Sequence, residues 1–146
     1  MKVIVQRSQY ANVSVSGDVI AEIERGMVLL VGICRNDTVE TVQKMAHKVA
    51  NLRIFSDEND KMNLNIQQVQ QDILSVSQFT LCASTKKGHR PSFDGAMPPG
   101  EAQVLYDTFN EALRAHGMRV KTGVFKAYMQ VLINNDGPLT FHLEMD

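Results

Sequence analysis

Met27-Val28-Leu29-Leu30-Val31-Gly32-Ile33-Cys34 is an unbroken apolar run rich in branched side chains. A strand with water on one face alternates apolar and polar positions, so a run without alternation predicts a strand covered on both faces, at the centre of a sheet. Upstream of it, Val3 and Val5, then Val13 and Val15, alternate with polar neighbours. Ser16-Gly17-Asp18 supplies turn chemistry ahead of Val19-Ile20-Ala21-Glu22-Ile23. This half of the chain reads as an opening hairpin.

Downstream of the central run, Asp37-Thr38-Val39-Glu40 has the spacing of a capping box, with Asp37 as cap and Glu40 three residues on. Val42, Met45, Ala46, Val49 and Leu52 then recur at helical spacing, giving one buried stripe. A second strand is predicted over Ile73–Leu81, followed by a polar loop from Ser84 to Phe93. Pro98-Pro99-Gly100-Glu101 opens a second helix with Ala102, Leu105, Tyr106, Phe109, Ala112 and Leu113 on one face and Gly117 as its stop. The chain closes as a predicted hairpin, Ala127–Ile133 and Leu139–Leu143, around the turn Asn134-Asn135-Asp136-Gly137-Pro138. Strands outnumber helices, and two helices cannot cover both faces of a sheet. The expectation is an α+β fold, a layered mixed β-sheet with two main helices on one face and the other face left for a partner.

Composition sets the outer bounds. The 146 residues, 44% of them apolar, suffice for one domain spanning 1–146, with no repeat, low-complexity tract or linker to divide it. Fifteen Lys and Arg against sixteen Asp and Glu leave a net charge of −1, so any RNA contact must rest on a local patch. The opening Met1-Lys2-Val3-Ile4-Val5-Gln6-Arg7 breaks too early for a signal-peptide core, and no stretch is long enough for a membrane span, which predicts a cytoplasmic protein. Cys34 and Cys82 lie in apolar runs without CxxC spacing and read as reduced, buried thiols. The four histidines show no ligand spacing, so no metal site is expected.

The usual catalytic signatures, GxSxG, GxGxxG, the Walker A loop and HExxH, do not occur. Three subtler segments remain. Ser77-Gln78-Phe79-Thr80-Leu81 places two hydroxyls and an amide at the end of an apolar strand. They are either a strand leaving the core with local hydrogen bonds or a strand end whose side chains and free N–H groups face a pocket. Asn135-Asp136-Gly137-Pro138 is either a plain turn or a rigid edge of two carbonyls, since an X–Pro bond can be cis at modest cost. Lys86, Lys87, His89 and Arg90 form a basic loop around Gly88, either simply solvated or placed for phosphates.

Taken together, Ser77–Leu81 and Asn135-Asp136-Gly137-Pro138-Leu139-Thr140 resemble the two signature motifs of the D-aminoacyl-tRNA deacylases. The likeness extends to Met1–Arg7, Leu52-Arg53-Ile54-Phe55, Lys61-Met62-Asn63, Lys87–Phe93, Thr122-Gly123 and Phe125, essentially the whole chain. The resemblance implies a homodimer, its sheets joining across the two subunits, that hydrolyses the ester between a D-amino acid, or glycine, and the 3′ end of tRNA. L-aminoacyl-tRNA is spared, and neither cofactor nor metal is called for. By the same likeness Ser77, Gln78, Phe79 and Thr80 surround the ester, with N–H groups around Phe79 and Thr80 as oxyanion donors. Ala96, Phe125 and Met129 hold the terminal adenine, and Gly137-Pro138, a cis pair from the other subunit, meets the α-amino group. Lys86, Lys87 and Arg90 are the candidate RNA contacts.

Two positions depart from the family pattern: Lys126 stands where the family commonly has glycine, and Asp57-Glu58-Asn59-Asp60 lacks the glycine often found before Lys-Met-Asn. Two other readings stay open at this point. One is a catalytically silent tRNA-binding or dimerisation module, and the other is an editing domain for a mischarged L-amino acid.

Overall fold

The computed structural model describes residues 1–146. Along the chain run β1 (Lys2–Val15), β2 (Asp18–Ile23), β3 (Gly26–Gly32), α1 (Val39–Ala50), β4 (Phe55–Ser56), β5 (Met62–Leu64) and β6 (Asp72–Ser77). A 3-10 turn at Phe79–Cys82 follows, then α2 (Pro99–Ala115), β7 (Arg119–Thr122) and β8 (Gln130–Glu144). The main sheet has the order β2-β1-β3-β6-β7, with β8 added on β1, and β4 pairs with β5 separately. β1 is antiparallel to β2, β3 and β8, whereas β3–β6 and β6–β7 are parallel. The apolar run is therefore the centre of a mixed α+β sheet, as its lack of alternation requires.

Parallel neighbours need a crossover, and such crossovers are right-handed. Two in succession, β3-α1-β6 and β6-α2-β7, step in the same direction and so put both helices on one face. There Val3, Val5, Met27, Leu29, Val31 and Ile73 meet Val42, Met45, Val49, Leu105, Phe109 and Leu113 in the larger core. Each Val, Leu or Phe fully buried here contributes about 1.5–3 kcal/mol of transfer free energy. The other face was expected to stand open for a partner, but at the central strands it is closed. Val28, Leu74 and Val76 pack with Ala11, Val13 and Ile23, and with the partly buried Met129, Val131 and Ile133. The far half of β1 curls over with β2, which reaches β6 and β7, so the sheet covers itself.

Three local expectations are corrected. The cap of α1 is Thr38, not Asp37, and its reciprocal partner is Thr41, not Glu40. The Asp37 carboxylate is occupied elsewhere, accepting from Cys34 N at 2.6 Å and pairing with the Met1 ammonium. The strand expected over Ile73–Leu81 stops at Ser77 and turns into the 3-10 segment, because its last parallel partner is Val31. Cys34 and Cys82 are joined as a disulfide rather than free. The β3 end and the 3-10 turn meet with Cα atoms 5.5 Å apart, a span that a disulfide bridges and that spacing along the chain could not reveal.

The largest difference concerns the C-terminus. No hairpin forms: β8 is one strand of 15 residues lying along β1. Between the pairs Gln6↔Thr140 and Ser8↔Asn135, Arg7 alone faces four residues, Asp136 to Leu139, which loop out of the ladder. Turn residues serve a hairpin and an excursion equally well, and only the length of β1 decides between them. No helix is long and apolar enough to cross a membrane.

Candidate active site

β3 and β6 are parallel and end together at Val31↔Ser77, so their carboxyl ends open on the same side. In sheets of this kind the crevice beyond the strand ends is where ligands bind. A cavity of about 610 Å³ lies there. One wall is Val31 from β3 and Ile33 just beyond it, with Val76, Ser77, Gln78 and Phe79. Opposite stand Phe93 and Ala96–Pro99, and the segment Phe125–Met129 closes the third side. Thirteen of the nineteen lining residues are hydrophobic.

Local hydrogen bonding shapes the first wall. Gln78 N donates to Val31 O at 2.7 Å, which pins the strand end, and the chain then turns with Leu81 N to Gln78 O and Ala83 N to Thr80 O. Phe79 and Thr80 are the first residues of this turn, so their N–H groups precede its internal acceptors and take no part in its own bonds. The Thr80 hydroxyl accepts from Gln78 Nε2 at 2.6 Å. A hydroxyl held by an amide has no base to activate it, and the cavity lining contains no histidine, aspartate or glutamate. Phe79, 56% exposed, packs against Phe93 with ring centroids 5.0 Å apart and planes tilted by 55°, leaving an apolar lip at the entrance.

The wall formed by Phe125–Met129 is held from behind. Tyr106 donates to Ser75 O at 2.9 Å, and Gly123 N donates to the same carbonyl at 3.1 Å. Burial pushes the Tyr106 phenol up from its ordinary value, with hydrogen bonds from Ser75 and Asn110 working the other way, so it stays a donor. Its ring lies 5.7 Å from that of Phe125, and Met129 packs over Gly123.

Ser77, Gln78, Phe79, Ala96, Phe125 and Met129 are thus brought to one cavity, while Thr80 sits on the turn just outside its lining. Lys86, Lys87 and Arg90 lie on an exposed loop closed by the Ser84↔Ser92 bridge, and none of them lines the cavity. Gly137 and Pro138 are not among the lining residues: in a single chain the two motifs stay apart.

The excursion that carries Gly137 and Pro138 is nevertheless built. Asn135 Oδ1 accepts from Leu139 N at 3.0 Å, and Asn135 Nδ2 and Gln6 Nε2 both donate to Thr140 Oγ1. Arg7 pairs through Nε with Asp136 at 3.1 Å and donates through Nη1 to Ile54 O at 2.8 Å. The Gly137-Pro138 bond is cis, and both residues are exposed.

The structure explains why the two departures matter. Lys126 has φ +67° and Asp60 φ +62°, the left-handed region in which glycine alone is free of Cβ strain. A lysine there costs about 1 kcal/mol relative to glycine. Sequence reasoning missed Arg35 and Tyr128 as cavity residues. The signal for Arg35 was its place just beyond the central strand, where such sheets hold ligands.

The D-Tyr-tRNA(Tyr) deacylase family matches residues 4–144. A protein of Saccharophagus degradans named D-aminoacyl-tRNA deacylase is 52% identical over 145 residues, covering 99% of this chain and 100% of that protein. One of the same name from Geobacillus sp. is 51% identical over 144 residues, 99% of this chain and 95% of that one. Among solved structures, the c-Myc DNA Unwinding Element Binding Protein superposes with a TM-score of 0.93 at 44% identity, covering 99% and 98% of the two chains. A probable eukaryotic D-amino acid tRNA deacylase superposes at 0.86 with 18% identity, over 97% of each chain, a likeness of fold. With the motifs of both segments in place and the match running nearly end to end, the chain belongs to the D-Tyr-tRNA(Tyr) deacylase family.

Proposed function

We propose that this protein, as one domain over residues 1–146, hydrolyses the ester of D-aminoacyl-tRNA and of glycyl-tRNA, releasing the amino acid and tRNA while sparing L-aminoacyl-tRNA. The observation that carries the reading is the turn at the end of β6. It presents two uncommitted N–H groups, Phe79 and Thr80, at the edge of an apolar cavity in a chain that is about half identical to named deacylases over its full length.

In this reading Ala96, Phe125 and Met129 hold the terminal adenine, and Ser77, Gln78 and Phe79 surround the ester. The two N–H groups stabilise the oxyanion that develops on its carbonyl, each worth roughly 10²–10³ in rate. With no base beside Thr80, assistance comes from the ribose 2′-hydroxyl, and the protein supplies position rather than a reactive side chain. The steps invoke no cofactor and no metal.

The second element comes from a partner. Gly137-Pro138 is held by its neighbours, exposed and outside the lining of its own chain's cavity. The arrangement fits a homodimer in which the excursion of one subunit enters the cavity of the other and its carbonyls receive the α-ammonium. Fixing the ammonium and the ester leaves two directions for hydrogen and side chain, which exchange when the stereocentre inverts. An L side chain then meets the Gly-Pro edge and is refused by collision, whereas many D side chains pass. Lys86, Lys87 and Arg90 meet RNA phosphates outside the cavity, and the setting is the cytoplasm, where tRNA is charged and used.

The test is a paired assay. The protein is expected to release tyrosine from D-Tyr-tRNA while L-Tyr-tRNA survives. Equal hydrolysis of both refutes the reading. Salt-dependent tRNA binding with no turnover would mark a silent module instead.

A further inference from the structure

We propose that Arg35 and Lys126 form a phosphate subsite at the mouth of the cavity, which takes the 5′-phosphate of the nucleotide seated there. The proposal rests on the deacylase reading for its ligand and adds a contact that neither sequence motif contains.

Four observations carry it. Arg35 and Lys126 are the charged residues lining an otherwise neutral, largely apolar cavity, so the field there is positive although the whole chain has a net charge of −1. Neither is in an ion pair: the six salt bridges of the chain all involve other residues. Arg35 is nonetheless anchored. Its main-chain N donates to Gly95 O at 2.9 Å and its Nε to Asp94 O at 2.6 Å, which leaves the two terminal nitrogens of the fork uncommitted. Lys126 occupies the third position of the turn Val124–Ala127, closed by Ala127 N to Val124 O at 3.2 Å, with φ +67°. Turns with positive φ at that position favour glycine. A long cation kept on a backbone that disfavours it, at the rim of a binding cavity, points to a task for its charge.

The geometry of the ligand agrees. An adenosine whose base lies against Ala96, Phe125 and Met129 and whose ribose carries the ester toward Ser77–Phe79 has one substituent left, the 5′-oxygen. The polynucleotide continues from it and must leave through the mouth. A planar guanidinium and a mobile ammonium on that rim suit a phosphodiester, the first by paired N–H donation and the second as a point charge.

The experiment measures binding of adenosine 5′-monophosphate and of adenosine to the intact protein, alongside the D- and L-Tyr-tRNA assay. Wild type is expected to bind the nucleotide about tenfold more tightly than the nucleoside, a gap set by charge-assisted hydrogen bonds at a partly wet rim. Lys126→Gly, which suits the turn, and Arg35→Ala each narrow that gap while adenosine affinity stays within twofold. Lys126→Arg keeps it. Equal affinity for the two ligands in wild type, or an equal loss for both in the variants, overturns the subsite even if D-Tyr-tRNA is hydrolysed. A gap that closes in the variants upholds it even if no deacylation occurs, in which case the deacylase reading fails by itself.

Discussion

Replacing Gly32 by alanine tests whether the position of the 3-10 turn, rather than any side chain on it, sets the rate. A Cβ at Gly32 would lie 2.9 Å from Leu81 Cβ, 3.1 Å from Gln78 O and 3.4 Å from Cys82 Sγ. Bringing the first two to 3.4 Å requires the turn to retreat by about 0.5 Å at Leu81 and about 0.3 Å at Gln78. It cannot swing away whole, because Gln78 N is bonded to Val31 O and Cys82 is tied to Cys34. The shift therefore falls on Phe79 and Thr80 between those anchors. Overpacking of this size costs about 1–3 kcal/mol of stability, which leaves a folded protein. A displacement of 1 Å at a reacting centre can cost about 10² in rate, so half of that should cost about tenfold. The assay is single-turnover deacylation of D-Tyr-tRNA, with thermal unfolding measured in parallel. Gly100→Ala serves as control, since nothing lies within 4 Å of the added Cβ. A Gly32→Ala protein that loses stability yet keeps its rate within twofold would refute the reasoning, because the strain would then have been absorbed away from the two N–H groups.

Thr80→Ala should keep most of the activity, because its hydroxyl accepts from Gln78 and meets no base; a loss of about 10³ in kcat would restore it as a nucleophile. Gly137→Ala should impair turnover of D-substrates while the protein stays folded, since an added Cβ at φ +129° would lie 3.1 Å from Leu139 N. Unchanged kinetics would remove this edge from the selectivity argument. Reduction of the Cys34–Cys82 bridge should lower the denaturation midpoint, with a chain-entropy ceiling of about 4 kcal/mol for a loop of 48 residues. An identical midpoint with and without reductant would show that the bridge adds nothing.

The central strand, both helices and the opening hairpin could be read from the chain because each depends on periodicity between near neighbours. The apolar run needed two covered faces, and the stripes Val42–Val49 and Ala102–Leu113 needed one. The same locality identified Ser77–Thr80 and Asn135–Pro138 as the segments of interest, while the family resemblance marked Lys126 and the segment Asp57–Asp60 as lacking a glycine. What those replacements mean came only with the backbone, whose positive φ at both sites is invisible in composition.

Tertiary structure decided everything that joins distant residues. It paired Cys34 with Cys82, moved the cap of α1 from Asp37 to Thr38 by giving Asp37 other partners, and ended the second strand at Ser77 where its neighbour ended. It turned the expected hairpin into one strand with a four-residue excursion, and it curled the sheet over the face expected to stay open. Local sequence determines what each segment is able to form. Which of those forms persists depends on hydrogen-bond partners and packing surfaces supplied from far along the chain, and these exist only once it has folded.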